Sequence, residues 1–206
     1  SLRDAIARAT ALGESNVAAT AKHNLGRALA ARGELAEAAR VEAEAVAAFD
    51  AQGDRRLTGG ARLYLGAIYY EQGEFAAAER EVALALSSAQ LPMQAQMRAT
   101  LARILLASGR VANALAEARH AMAILGQLGA IEEGEALVRL VLAEALLGTG
   151  APAEARDVAA VARERLLARA AFVVDRQGII RYVQLVKETG TEPDYAPVLQ
   201  AVRDLQ

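Results

Sequence analysis

Apolar residues between Asn24 and Ala31, and again between Arg62 and Glu71, recur at the three- and four-residue intervals of a helix that buries one stripe. Each run then breaks at a glycine, at Arg32-Gly33 and at Gln72-Gly73, and a second helical run follows. The pattern returns at intervals of about forty residues, at Gly33, Gly73, Gly109 and Gly150. Other positions move in step with these glycines. Leu25, Leu65, Leu101 and Leu142 stand at one fixed offset before them, each followed by a small residue, Gly26, Gly66, Ala102 or Ala143. Ala38, Ala78, Ala114 and Ala155 stand at one fixed offset after them. Small residues at fixed points let two helices approach to about 8–10 Å. The second helix of a unit starts at an acid, Glu34 or Glu74, which suits the positive end of a helix dipole. The spacing predicts helices near 2–12, 16–31, 35–51, 55–71, 75–89, 92–107, 111–128, 131–147 and 152–169.

Leu25-Gly26, Leu29, Gly33, Leu35, Ala38 and Ala45 resemble the signature of the tetratricopeptide repeat (TPR), and Leu65-Gly66, Tyr69, Gly73, Phe75, Ala78 and Ala85 resemble it more closely. The repeat is longer than the simple TPR period of about 34 residues. It is similar to the extended form found in kinesin light chains and in regulatory regions of large bacterial kinases and regulators, and Lys22-His23-Asn24-Leu25-Gly26-Arg27-Ala28-Leu29 is a phrase of that kind. The resemblance covers residues 1–168 and implies an all-α fold, a right-handed α-solenoid of antiparallel helix pairs. Ala5, Ala9 and Gly13 align with Ala45, Phe49 and Gly53, so residues 1–13 read as the second half of a repeat that precedes about four whole ones. Solenoids carry polar terminal caps, and a chain that starts inside a repeat is expected to be a regulatory fragment of a larger protein.

The pattern changes at residue 169. Phe172-Val173-Val174 and Ile179-Ile180-Arg181-Tyr182-Val183 flank Asp175-Arg176-Gln177-Gly178, the signal of a β-hairpin, and a short helix is expected from Asp194 to Leu205. Residues 166–205 resemble the C-terminal end of a thiol peroxidase of the peroxiredoxin family, through Ala171-Phe172-Val173-Val174-Asp175, Gly178-Ile179-Ile180-Arg181-Tyr182 and Thr191-Glu192-Pro193-Asp194-Tyr195. That resemblance implies that Arg169 matches an arginine which stabilises the reactive thiolate. The chain has no Cys, so Arg169 has no thiolate to serve, and the tail is expected to be structural, a relic of a peroxidase-type enzyme at most. A second use is homo-oligomerisation, through the truncated solenoid end or by self-association through residues 171–206.

Composition narrows the chemistry. Hydrophobic residues make up 54% of the 206 but aromatics only 4%, which favours Ala-rich helix packing over a large aromatic core. A formal charge of −2 supplies no basic field for a phosphate backbone, so no nucleic-acid partner is expected. The longest uncharged run, Val82 to Met97, contains Pro92, three Gln and two Ser and is no membrane span; a soluble cytoplasmic protein follows as the expectation. Without Cys there is no disulfide and no thiolate metal site. His23 and His120 sit at non-equivalent repeat positions and read as helix-surface histidines; neither Lys22 nor Lys187 follows a glycine, so a phosphate loop is excluded. Gly59-Gly60 reads as a loop or close packing near a helix start, and Glu132-Glu133 as solvated acids at another. No catalytic residue, cofactor or metal is expected.

Binding is the remaining function. By the TPR resemblance the first helix of each repeat lines the concave face. That implies a groove of His23, Asn24 and Arg27, then Tyr64 and Tyr70, then Thr100 and Arg103, then Glu144. Asn24 matches an asparagine that bonds the backbone of an extended peptide. Arg27 and Arg103 are suited to carboxylates, and the tyrosines to anchoring at low entropic cost. The expected partner is a protein or an extended peptide.

Overall fold

The computed structural model describes residues 1–87, 89–131, 134–167, 170–174, 180–185 and 195–204. The chain divides into two compact units, Ser1–Gly150 and Ala151–Gln206. In the first, α1 (Leu2–Ala11), α2 (Ser15–Ala31), α3 (Leu35–Ala51), α4 (Arg55–Glu71), α5 (Phe75–Leu86), α6 (Leu91–Ala107), α7 (Val111–Leu128) and α8 (Glu135–Gly148) each pack on the next in sequence. The first helices of successive repeats also meet directly, α2 with α4, α4 with α6 and α6 with α8. This is the stacking of a TPR-like solenoid.

One local device ends most of these helices. Gly13, Gly33, Gly53, Gly73 and Gly109 take φ between 72° and 81°, a conformation that costs glycine little. The N–H of the next residue then donates back to a carbonyl five positions earlier, as Glu34 does to Leu29 and Glu74 to Tyr69. The chain reverses within two residues, and the next helix starts at once. Asp54 adds a side-chain cap, its Oδ1 accepting from the Leu57 N–H at 2.9 Å.

The core follows the repeated small positions. Ala38, Ala78 and Ala114 are wholly buried and Ala155 nearly so. Around Ala38 gather Leu29, Val46, Phe49, Leu65 and Ile68; around Ala78 gather Leu63, Val82, Met97 and Ile104. Three expectations need correction. The helix predicted over 75–89 stops at Leu86, because no glycine cap or apolar position continues it and the Ser87 hydroxyl turns back onto the Leu84 carbonyl. The helix predicted from 131 starts at Glu135, after Gly134 in the left-handed region. Of the two readings of Gly59-Gly60, loop or close packing, the loop fails: both residues lie inside α4, and Gly59 is buried. Glu132-Glu133 lies outside the described residues.

In the second unit, α9 (Pro152–Leu167) precedes two strands, β1 (Ala170–Val174) and β2 (Ile180–Leu185), and α10 (Tyr195–Arg203). The strands pair antiparallel, Phe172 opposite Val183 and Val173 opposite Tyr182, with an irregularity between Val173 and Val174. Helix α10 contacts both strands. Arg169, the turn Asp175–Gly178 and the segment Thr191–Asp194 that the sequence reading singled out lie outside the described residues.

Candidate functional site

Because first helices adjoin first helices, their side chains meet across the repeat boundary. Two clusters result. At the α2–α4 boundary the Arg27 guanidinium lies 4.4 Å from the centre of the Tyr64 ring, and the His23 ring stands edge-on to Tyr64 at 5.3 Å. At the α4–α6 boundary the Arg103 guanidinium lies 4.1 Å from the Tyr70 ring centre, and its Nη2 donates to Glu71 Oε1 at 2.5 Å. Such a stacked cation contributes about 0.5–1 kcal/mol where water reaches it, so each cluster is held in place without being locked. Asn24 is exposed and lies one (i, i+3) step from Arg27 on the same helix face.

The predicted site residues therefore separate. His23, Arg27 and Tyr64 come together, and Tyr70 and Arg103 come together. Glu144 is exposed on α8, with no contact to either cluster shown. Thr100 does not fit the role expected of it: it is 8% exposed, and its hydroxyl donates to the Gln96 carbonyl of its own helix. Arg103 is already partnered by Glu71, so an incoming carboxylate would have to displace that acid.

His23 also departs from the surface reading. It is half-buried, and its Nδ1 lies 2.5 Å from Oε1 of Glu42, a residue with no exposed surface. Burial raises the Glu42 carboxyl above its usual range; the hydrogen bond and charge of His23, and then the charge of Arg27, act against that rise. The second oxygen, Oε2, is buried and has no hydrogen-bond partner. His120, by contrast, is exposed on α7.

A polar pair joins the two helices of each of the first three repeats: His23–Glu42, Arg62–Glu81 at 2.7 Å and Arg98–Glu117 at 2.6 Å. All three span 19 residues in sequence. The apolar repeat does not mark them; a basic residue or His followed at that constant interval by Glu is the signal that the sequence carries. Among the described residues no cluster of three or more His, Cys, Asp or Glu is disposed to hold a metal. The site offers cations, aromatic faces and an amide.

No protein-family model matches the chain. Among solved structures it is similar to TPR-like repeats of a kinesin-light-chain-type protein of Podosopora anserina, at 20% identity and a TM-score of 0.65, over 79% of this chain and 82% of that one. It is also similar to BtubC from P. vanneervenii, at 18% identity and a TM-score of 0.67, over 79% and 69% of the two chains. A third similar structure is the MamA protein, at 16% identity and a TM-score of 0.54, over 84% and 96%. These likenesses establish the TPR-like fold. Separately, 40 residues are 48% identical to the thiol peroxidase of Aquifex aeolicus (strain VF5), 19% of this chain and 24% of that protein. The chain thus matches about a quarter of the length of that enzyme.

Proposed function

We propose that the chain is a non-catalytic protein-interaction scaffold whose first helices, α2, α4 and α6, hold an extended segment of a partner protein. The observation that carries this reading is the pair of arginine–tyrosine clusters bridging neighbouring first helices, with exposed Asn24 beside one of them. Tyr64 and Tyr70 supply apolar faces, Arg27 a cation that faces no carboxylate at ion-pair distance among the described residues, and Asn24 both a donor and an acceptor for a peptide backbone. A partner segment that is extended and acidic, or that ends in a carboxylate, satisfies all three. The cytoplasmic setting is part of the proposal; among the described residues no helix is long and apolar enough to cross a membrane.

The test is selection of extended dodecapeptides from a displayed random library against the whole chain, followed by fluorescence anisotropy of the selected peptides in rising salt. Acidic sequences should be enriched, with affinity falling as salt screens the exposed arginines. Enrichment of basic or uncharged sequences, with no dependence on Arg27, would count against the groove.

One observation favours a second reading, self-association through residues 171–206. The two paired strands form a sheet of only two among the described residues; α10 contacts both, but each keeps an outer edge that no other described strand pairs, a template for another chain. A light-scattering mass separates the readings, because a monomer at high concentration removes this one. Peroxidase chemistry has no support in this chain, which lacks the thiol it needs.

A further inference from the structure

Helix α5 spans 12 residues, whereas the helices in the same place in the neighbouring repeats, α3 and α7, span 17 and 18. The chain leaves α5 at Leu86 and re-enters a helix at Leu91, with Pro92 in the first turn of α6. The missing turn leaves a notch against the first two turns of α4. Two adjoining cavities occupy it. One, of about 370 Å³, has Pro92, Met93 and Met97 on one side and Arg55 and Arg56 on the other. The other, of about 240 Å³, shares Arg55 and Gly59 with the first and reaches Asp50 and Leu84.

The notch combines two properties among the described residues. Leu84, which lines the smaller cavity, and Met93, which lines the larger, are large apolar residues left exposed. Arg55 and Arg56 are exposed, and among the described residues neither is in an ion pair or a stacked contact. Arginines elsewhere in the unit are largely engaged, Arg62 with Glu81, Arg98 with Glu117, Arg103 with Glu71, Arg110 with Glu79 and Arg139 with Glu135. Among the described residues no acid lines the larger cavity; Asp50 belongs to the smaller one.

We infer that this notch is a second docking site, separate from the groove in its residues, for a partner peptide segment in which a bulky apolar side chain stands next to acidic residues. The apolar side chain would enter between Met93 and Met97, and the acids would meet Arg55 and Arg56. A cavity of this size lies at the small end of ligand sites. Exposed Leu84 lines the smaller cavity and exposed Met93 the larger, so covering both requires a chain longer than either cavity. That selects a peptide over a small carboxylic acid.

The test uses the full chain and a panel of fluorescein-labelled nonapeptides with one central Leu or Phe flanked by Asp and Glu. Control panels carry Lys in place of the acids or Ser in place of the apolar residue. Anisotropy should show binding of the acidic apolar panel alone. Affinity should fall at least tenfold in Arg55→Glu/Arg56→Glu and in Met93→Glu, each first checked for an unchanged helical circular dichroism signal. All of these measurements are made in the Arg27→Ala/Arg103→Ala background, which weakens the groove, and loss of all binding in that background would transfer the peptides to the groove and overturn the notch. No binding by the acidic panel, or equal binding by the Arg55→Glu/Arg56→Glu variant, would also overturn it. Full displacement of the peptide by octanoate, with the same sensitivity to Arg55 and Arg56, would assign the notch to a small carboxylic acid and overturn the peptide reading.

Discussion

The first and second repeats share a backbone plan but treat one interior slot in opposite ways. Aligned on Gly33 and Gly73, His23 and Glu42 occupy the positions that Leu63 and Val82 occupy in the second repeat. The third repeat puts Ala99 and Ala118 there. Leu63, Val82, Ala99 and Ala118 are all buried. In the second and third repeats the polar pair sits one position away, at the edge of the helix pair, where the carboxylates are 10% and 24% exposed; in the first repeat that figure is zero. A shift of one residue on both helices has moved a polar pair from the edge of the helix pair into a dry slot. The interval of 19 residues survives because both partners moved together. The edge position of the first repeat is taken over by Lys22, which pairs with Glu44 at 2.8 Å. The dry pair is also the one that adjoins the candidate groove, because the His23 ring rests against Tyr64.

The largest effect should come from breaking the dry pair on one side only. His23→Leu leaves Glu42 buried without its partner and should cost about 3–5 kcal/mol at neutral pH, read from the urea midpoint. The double variant His23→Leu/Glu42→Val copies the second repeat. It should recover that loss and match or exceed the parent chain by about 1–4 kcal/mol. If the double variant is no better than His23→Leu, the slot is not an alternative of the apolar kind seen in the second repeat.

A smaller effect tests the glycine that faces each slot. A Cβ added at Gly66 would lie 2.6 Å from Val82 Cγ2 and 3.1 Å from the Ala78 carbonyl oxygen, so Gly66→Ala should cost about 1–3 kcal/mol in the melting transition. At Gly26 the obstacle is the Glu42 carboxylate, the end of a side chain. Gly26→Ala should therefore destabilise through the His23–Glu42 pair, and its cost should shrink in a His23→Leu/Glu42→Ala background, where the side chain in its way ends at Cβ. Equal costs in the two backgrounds would place the strain elsewhere.

The smallest effect is a pH dependence with a fixed sign. Burial raises the Glu42 carboxyl in the folded chain, so the folded state holds that proton more tightly than the unfolded chain does. This contribution to stability is fully present below the ordinary carboxyl value of 4.5 and is lost as pH rises through the raised folded value. Glu44 runs the other way. Its hydrogen bond from Lys22 lowers its carboxyl, and that contribution is lost as pH falls. Subtracting melting curves of Glu42→Gln from those of the parent chain isolates the first term. The difference should move against the parent chain as pH rises from about 4.5, and a flat difference would show that Glu42 is not held in a dry site.

Much of this architecture was legible in the sequence because it is periodic and local. Gly33, Gly73 and Gly109 end helices by a conformation open to glycine, and Ala38 and Ala78 are buried where the spacing put them. What was not legible depends on a count off by one or on a missing signal. The early end of α5 comes at Ser87, where the aligned positions of the first and third repeats are Ala47 and Ala123. His23 reads as a surface residue on its own helix, and only its partner nineteen residues on draws it inward. Arg27 with Tyr64 and Arg103 with Tyr70 were placed on one candidate surface by alignment, but alignment cannot see that Thr100 points into its own turn.

The groove itself is tested most directly by photo-crosslinking. A benzoyl-phenylalanine placed singly at Asn24, at Arg103 or, as a control on the second-helix row, at Arg40 is irradiated with a selected acidic dodecapeptide. Cross-links from Asn24 and from Arg103 to the same peptide, and none from Arg40, are the predicted result. Cross-links confined to Arg40, or absent from Asn24 and Arg103 while the peptide remains bound, would contradict a binding surface formed by α2, α4 and α6.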